Sequence, residues 1–317
     1  MVFKEMLQQF DYPDKTLVDE IIRGFPLSGW LLKSNFSQVG LKRPAQCTEA
    51  ALKVAKGING GICKQVETNG DPELAEEVWK QTQGELSDRW TWLDEECDTP
   101  KHLLAKRSGL RQGAKVRLIS ECTIGGFNST CGVSERLRVH AIDELASYIV
   151  GCLTNLTETS MDEVVGKTCD LKSAYRQYEV RKLDRDLWWL VGWNPHVQKV
   201  RLLGINALPF GAIGSHSTFL RMSTAVWSLG IKGLRLCWTS FFDDYTSLSR
   251  RSNSKSAEVY AECLSQMLGI GFATEGKKAV NWATKIKALG VVLDLAPSAE
   301  PGTDQRLVSH GYWKCAP

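Results

Sequence analysis

The sequence predicts an α+β fold in which an antiparallel sheet is covered by helices on one face. Segments with strand-like alternation begin near residue 115, and two clear helical patterns lie between later strands. The elements follow the order strand, hairpin, helix, hairpin, helix, strand, which is typical of this class. Such an order also allows an early strand and a later hairpin to be neighbours in one sheet.

The composition indicates a globular chain without a strong excess of either charge. The 317 residues are 43% hydrophobic, with a formal net charge of +3. That is enough apolar material for a substantial core, while the charge alone does not indicate nucleic-acid binding. The ten cysteines include no C-x-x-C pair and no zinc-ligand spacing, so free thiols in a reducing compartment are expected.

Neither a secretion signal nor a membrane span is evident in the sequence. The first ten residues lack the apolar run of a signal peptide, and the densest apolar stretch, Leu187–Trp193, is far too short to cross a bilayer. We therefore expect an intracellular protein without a membrane partner. Cytoplasm and nucleus are not distinguished.

Alternation and turn residues predict the strands. Lys115–Ile119 alternates as a half-buried strand does, and Val164–Leu171 carries Asp170 near its end. A turn at residues 194–196 joins a strand pair, and Asp243-Asp244 joins another. The predicted pairs are Leu187–Trp193 with Val197–Leu203, and Leu234–Phe241 with Tyr245–Leu248, and strand character returns at Lys285–Leu295.

Apolar residues at helical spacing predict two helices beside these strands. The first covers residues 215–229 and is expected to end at Gly230. The second runs from about Ser254 to Leu268 and is followed by Gly269. Residues 1–100 are predicted to be mostly helical, with glycine-containing breaks.

Three aspartates carry the chemistry that the sequence suggests. Asp243 and Asp244 stand side by side between aromatic residues, and close carboxylates repel one another unless a cation neutralises them. Carboxylate oxygens are the ligands that Mg²⁺ prefers, and paired ions roughly 3.5–4 Å apart need two or three acids. Taken alone, the pair also fits an ordinary Asp-rich hairpin turn.

Six segments together resemble, in order, the characteristic blocks of retroelement and retroviral reverse transcriptases. Any one block is a weak signal, whereas six in order at plausible spacing identify the family. The segments are Lys115–Arg117 with Gly125–Asn128, Thr168–Gln177, Leu208–Ser215, Phe241–Asp244, Gly271–Lys278 and Ala288–Val291.

The resemblance implies a right-hand polymerase architecture and an RNA-directed DNA polymerase that uses dNTPs and a primed RNA or DNA template. Protein partners are not predicted. The implied parts are a mostly helical N-terminal extension (1–100), fingers and palm (101–295, with the palm at about 147–180 and 212–295) and a C-terminal tail (296–317).

The same resemblance assigns the catalytic acids. Asp170, Asp243 and Asp244 would be catalytic and would hold two Mg²⁺ ions, or Mn²⁺ in their place, with the backbone carbonyl of Leu171 also facing a metal. Asp170 and Asp243 would be the main ligands. Asp244 would be the weaker partner, and its alternative role is to orient the turn.

Nucleotide and primer contacts are implied at further positions, each with a plainer alternative. Tyr175 would exclude a 2′-hydroxyl, or it is simply a core aromatic. Lys115 and Arg117 would contact phosphates, or they lie on a solvated strand edge. Lys278, or alternatively Lys277, would protonate the departing pyrophosphate, or it is a surface lysine beside a helix. The remaining implied residues are Phe210 and Gly211 under the incoming base and Leu289 and Gly290 as the primer grip.

Some features depart from the family pattern. The family often has an acid two or three residues after the fingers arginine, where this chain has Ser120-Glu121. After the second palm block, Ser215–Ser217 replaces the usual Asn-Ala-Pro type of sequence. Only 22 residues follow Leu295, so the thumb is expected to be largely absent and no RNase H segment is expected. A fragment of a polyprotein and a degenerate copy both fit this pattern.

Two other functions remain open at this point. One is a catalytically inactive nucleic-acid-binding module with the same fold, which a missing thumb and a modest charge would favour. The other is an RNA-dependent RNA polymerase, which shares the metal chemistry but which the aromatic ring of Tyr175 disfavours.

Overall fold

The computed structural model describes residues 2–37, 39–67, 71–94, 101–113, 115–136, 138–154, 162–272, 281–296 and 314–315. The helices are α1 (Val2–Gln9), α2 (Leu17–Arg23), α3 (Thr48–Glu67), α4 (Pro72–Ser87), α5 (Ile142–Thr154), α6 (Lys182–Arg185), α7 (Ile213–Leu234) and α8 (Ser254–Leu268). Across the described residues, no helix combines the length and apolar character needed to cross a bilayer.

Fourteen strands accompany these helices within the described residues. They are β1 (Gly29–Trp30), β2 (Val39–Arg43), β3 (Thr91–Asp94), β4 (Leu103–Gln112), β5 (Lys115–Glu121), β6 (Cys131–Glu135), β7 (Val164–Asp170), β8 (Trp188–Asn194), β9 (Lys199–Ile205), β10 (Cys237–Phe241), β11 (Asp244–Arg250), β12 (Lys285–Ala288), β13 (Val291–Asp294) and β14 (Lys314–Cys315). The mixture of helices and largely antiparallel strands confirms the predicted α+β class at this coarse level.

The chain divides into two compact units, each built from separate stretches of sequence. The first unit contains Met1–Tyr12, Arg138–Ala174 and Met222–Pro317, and the second contains Pro13–Leu137 and Tyr175–Arg221. Helix α7 begins in the second unit and ends in the first.

A five-stranded mixed sheet organises the second unit. Its strand order is β3-β9-β8-β4-β5, and only the β4–β8 pair is parallel. Helix α3 covers the sheet by burying Ile62 and Val66 against Leu104, Trp189 and Val191. Residues 1–100, predicted as an extension, supply β3 to this sheet and β1 and β2 to a second sheet of the order β1-β6-β2. The predicted β8–β9 hairpin is confirmed.

A three-stranded antiparallel sheet of the order β10-β11-β7 organises the first unit. Helices α7 and α8 lie on one face of it, because Tyr245 bonds to Ser223 of α7 and Lys167 forms an ion pair with Glu258 of α8. Asp244 points to the other face, since successive strand residues alternate.

Helices cover both faces of this sheet, so the prediction of helices on one face is wrong. Val164 and Leu248 lie at even spacing from Asp170 and Asp244, which places all four side chains on one face. Leu145 of α5 joins Val164 and Leu248 in a single apolar cluster. Helix α5 therefore covers the far end of the acid-bearing face. The sequence-based prediction did not include α5.

The predicted helix at Ser254–Leu268 is confirmed as α8, with Gly269 left-handed (φ 65°) at its end. Gly230, however, does not end α7, which continues to Leu234. A Cβ at Gly230 would lie 2.1 Å from the ring of Trp238. Close packing of that ring, and not helix termination, explains the glycine.

Candidate functional site: an acidic strand end

Asp170 and Asp244 lie directly opposite each other at the end of the β7–β11 ladder. Asp170 is the last residue of β7 and Asp244 is the first of β11. The Leu171 N–H donates to the Asp243 carbonyl over 2.9 Å, so the Leu171–Asp243 position is hydrogen-bonded and the Asp170–Asp244 position is not. In a pair of the second kind the Cβ atoms approach to about 4.5–5.5 Å. The backbone therefore brings two of the three predicted acids together.

The third acid, Asp243, occupies a tight turn between β10 and β11. Phe241 pairs with Asp244, which leaves only Phe242 and Asp243 to reverse the chain. Phe242 adopts a left-handed conformation with φ 54°. For a bulky residue this costs on the order of 1–3 kcal/mol, and such strain is concentrated at functional sites.

Helix α7 holds this strained turn through a buried serine. Ser223 Oγ donates to the Phe242 carbonyl over 2.6 Å and lies 3.0 Å from the Tyr245 hydroxyl. The Tyr245 hydroxyl also donates to the Ser223 carbonyl over 3.1 Å. Sequence reasoning missed Ser223, because a serine inside an apolar helix carries no sign of which backbone group it will meet.

The surroundings of Asp244 oppose its ionisation. Burial raises the pKa of the Asp244 carboxyl, and the adjacent charge of Asp243 raises it further. The ionised form is thus less favourable here than in water, and a bound cation would reverse this effect. This is the electrostatic behaviour expected of a site that binds a cation.

The donor set fits Mg²⁺ by its chemistry and register. Aspartate oxygens are hard ligands, and the opposed pair on one sheet face lies beside a third acid. Within the described residues, no group of three or more His, Cys, Asp or Glu side chains is already arranged around a common point. The fit lies in the type and placement of the acids and not in a preformed three-ligand cluster. Leu171, whose carbonyl was predicted to face a metal, is buried at this strand end.

Tyr175 packs against two other aromatic rings in the second unit. The centroid of Tyr175 lies 4.8 Å from that of Phe219 and 5.6 Å from that of Phe210. Phe210 is 46% exposed, which is unusual for a phenylalanine with packing partners. Tyr175, predicted to exclude a 2′-hydroxyl, and Phe210, predicted to lie under the incoming base, therefore lie side by side.

Gly211 is required by a close backbone approach. It has a φ of 107°, and a Cβ there would lie 2.2 Å from the Ser120 carbonyl oxygen. Asn128 fixes this loop, because its amide donates to the Gly211 carbonyl over 3.2 Å and accepts from the Ile213 N–H over 2.9 Å. Asn128 ends the Gly125–Asn128 segment, yet its role as a loop clamp was not predicted.

The remaining predicted nucleotide and primer contacts lie on an edge strand, in a tight turn and outside the described residues. Lys115 and Arg117 are exposed on the edge strand β5. Leu289 and Gly290 form the two-residue turn between β12 and β13, both with positive φ (50° and 78°), which is the type I′ pattern. Lys278 lies outside the described residues.

Comparisons with known proteins identify only a distant likeness. No protein-family model matches the chain, and neither does any curated protein. Among solved structures, the chain is similar to the foamy viral protease-reverse transcriptase in complex with dsDNA, at 16% sequence identity and a TM-score of 0.49. The match covers 70% of this chain and 40% of that one. At this TM-score the likeness by itself assigns neither fold nor activity.

Proposed function

We propose that the chain is the fingers and palm region of an RNA-directed DNA polymerase, which joins dNTPs to the 3′-hydroxyl of a primer on an RNA or DNA template. The observation that carries this proposal is the pairing of Asp170 with Asp244 across β7 and β11, beside Asp243 in a strained turn. The ordered sequence blocks that resemble reverse transcriptases support it independently.

The proposed chemistry requires little covalent work from the protein. Two Mg²⁺ ions, when bound, would lower the pKa of the primer hydroxyl and neutralise charge on the triphosphate. Asp170, Asp243 and Asp244 would hold them, with the Leu171 carbonyl as a further oxygen ligand. Because both strand ends are fixed by the ladder, the carboxylates would keep their positions while charge shifts during transfer.

Tyr175 would determine which sugar is accepted. Its ring is held between Phe210 and Phe219, so it cannot swing aside freely. A fixed ring under the sugar would exclude a 2′-hydroxyl and favour dNTPs. An RNA-dependent RNA polymerase would need space at this position, and we therefore prefer the DNA polymerase.

Primer extension tests the proposal. The wild-type chain, incubated with a primed RNA template, dNTPs and Mg²⁺ or Mn²⁺, is expected to extend the primer, and Asp243→Asn is expected to lower the rate by roughly 10²–10⁴-fold, since metal neutralisation supplies several kcal/mol. Asp294→Asn is a matched control, because Asp294 is an exposed acid paired with Lys285 in the same unit. Equal rates for wild type and Asp243→Asn would refute the role of Asp243.

Sugar choice is tested separately by substituting rNTPs. The wild type should prefer dNTPs, and Tyr175→Ala should reduce that preference by about tenfold or more while dNTP addition continues. An unchanged preference would leave Tyr175 as a core aromatic.

A second candidate is a nucleic-acid-binding module without catalysis. The absence of a preformed three-acid group among the described residues favours it. Tight binding of primed template with no nucleotide addition in either metal would support this candidate over the polymerase.

A further inference from the structure

A pair of thiols lies in the first unit, away from the acidic strand end. Cys152 is on α5 and Cys237 is the first residue of β10, and their Sγ atoms are 3.5 Å apart. Both are free and only partly buried. A disulfide requires about 2.05 Å between sulfurs, so the two sulfur atoms must approach each other further to form the bond.

A cavity is lined in part by these two cysteines. Its volume is about 600 Å³, within the range of small-ligand sites. Arg235 and Arg250 line it, and none of the described lining residues is acidic. Ser249, Asn253 and Tyr260 add polar groups to the wall. The cavity thus suits a small, flexible molecule that carries negative charge.

We propose that Cys152 and Cys237 form a dithiol site that exchanges with a small anionic disulfide bound in this cavity. The reaction would create an intramolecular disulfide joining α5 to β10. Nothing in this proposal depends on the polymerase activity, because the thiols and the acids occupy different ends of the sheet.

The exchange needs no reactant besides the two protein thiols and the small disulfide. The Cys152 sulfur, as the thiolate, attacks one sulfur of the small disulfide, whose S–S bond breaks. One small thiol departs and takes up the proton that Cys152 released. The Cys237 sulfur then attacks Cys152 Sγ and breaks the mixed disulfide, and the second small thiol departs with the Cys237 proton. The protein loses two electrons and the small disulfide gains two.

In the proposed exchange, Cys152 acts as the first nucleophile. Either sulfur can donate the hydrogen bond that the two thiols share. With Cys237 as the donor, this bond lowers the pKa of the Cys152 thiol to about 7, while the same bond and burial raise the pKa of Cys237. A thiol with a pKa near the ambient pH is close to the optimum for attack. Once Cys152 has entered a mixed disulfide, the bond that held the Cys237 proton is gone and Cys237 can react.

The test uses the full reduced chain and glutathione disulfide as the probe, with peptide mapping by mass spectrometry. We expect a Cys152–Cys237 disulfide to form in the wild type, and a stable mixed disulfide to accumulate at Cys152 in Cys237→Ser. Modification at Cys152 should be at least about tenfold faster than at Cys63, a half-buried cysteine whose pKa is raised. Equal rates at the two positions, or a mixed disulfide in wild type that never closes, would overturn the proposal. Because the wild-type result needs no variant, a variant that fails to fold does not remove the test.

The role of the cavity is tested with Arg235→Gln and two probes. Reaction with anionic glutathione disulfide should slow by about threefold to tenfold, because electrostatic attraction to the cavity is reduced. Reaction with neutral bis(2-hydroxyethyl) disulfide should be unchanged and serves as the control. The same rate as wild type with both probes, or equal slowing with both, would overturn the anionic class of ligand.

Discussion

Replacing Ser223 by alanine should loosen the turn that carries Asp243 without removing any acid. The Ser223 hydroxyl donates a 2.6 Å hydrogen bond to the Phe242 carbonyl inside the fold. A buried hydrogen bond of this kind contributes about 0.5–1.5 kcal/mol net, and up to about 3 kcal/mol when the acceptor finds no substitute. The left-handed conformation of Phe242 costs a comparable free energy, on the order of 1–3 kcal/mol. The bond is therefore large enough to decide whether the turn keeps its shape.

We expect Ser223→Ala to lower the free energy of unfolding by about 1–2 kcal/mol in a urea titration. Loss of turn geometry worth about 1.4 kcal/mol would lower the rate of single-nucleotide addition by about tenfold. Ser228→Ala is the matched control, because Ser228 lies on the same helix and both residues are 4% exposed. Ser228→Ala should retain nearly full activity, because no contact of Ser228 with the Phe242 turn is seen among the described residues.

Tyr245→Phe provides a second perturbation of the same contact. It removes the hydroxyl that contacts Ser223 but leaves the bond from Ser223 to Phe242 intact. Activity should therefore fall less than in Ser223→Ala. If Ser223→Ala and Ser228→Ala lose activity equally, α7 does not hold the turn and the reasoning is refuted.

Three further predictions concern other parts of the structure. Gly211→Ala should destabilise the chain by more than about 1 kcal/mol in a urea titration, because its Cβ would meet a backbone carbonyl at 2.2 Å; unchanged stability would contradict the close approach. Glu85→Gln should cost about 3–5 kcal/mol, since Arg107 and Arg176 both pair with this buried carboxylate, and a loss below about 1 kcal/mol would show that the arginines find other partners. Burial lowers the pKa of His140, so the unfolded chain binds a proton at this residue more readily than the folded chain does. The free energy of unfolding should therefore fall as the pH drops through about 6.5. His140→Gln should flatten this part of the plot of unfolding free energy against pH. If the unfolding free energy of His140→Gln depends on pH as steeply as that of the wild type, His140 is not the source of the effect.

Local patterns explain which elements could be predicted from the sequence. The β8–β9 hairpin and α8 carry strong signals within their own residues, namely apolar runs around a turn and a helical stripe followed by Gly269. Strand β4 was missed, although it forms a hairpin with β5, because its place in the sheet also depends on parallel pairing with β8, more than eighty residues away in the chain. Gly230 was misinterpreted for a similar reason, since its contact with Trp238 is tertiary.

The candidate site divides in the same way. Sequence order allowed Asp170 to approach the Asp243-Asp244 turn, and the ladder register now places Asp170 opposite Asp244. The residue types alone did not indicate that Phe242 would be left-handed, nor that Ser223 would hold it. Both features depend on backbone geometry that becomes fixed only when the sheet and helix α7 assemble.

Binding of Mn²⁺ to the full chain, followed by electron paramagnetic resonance, tests the central claim most directly. With primed template and a dNTP present, the wild type should bind Mn²⁺, whereas Asp170→Asn should bind it at least about tenfold more weakly and Asp294→Asn should match the wild type. Equal Mn²⁺ affinity in the wild type and Asp170→Asn would contradict the account of these acids as a metal site.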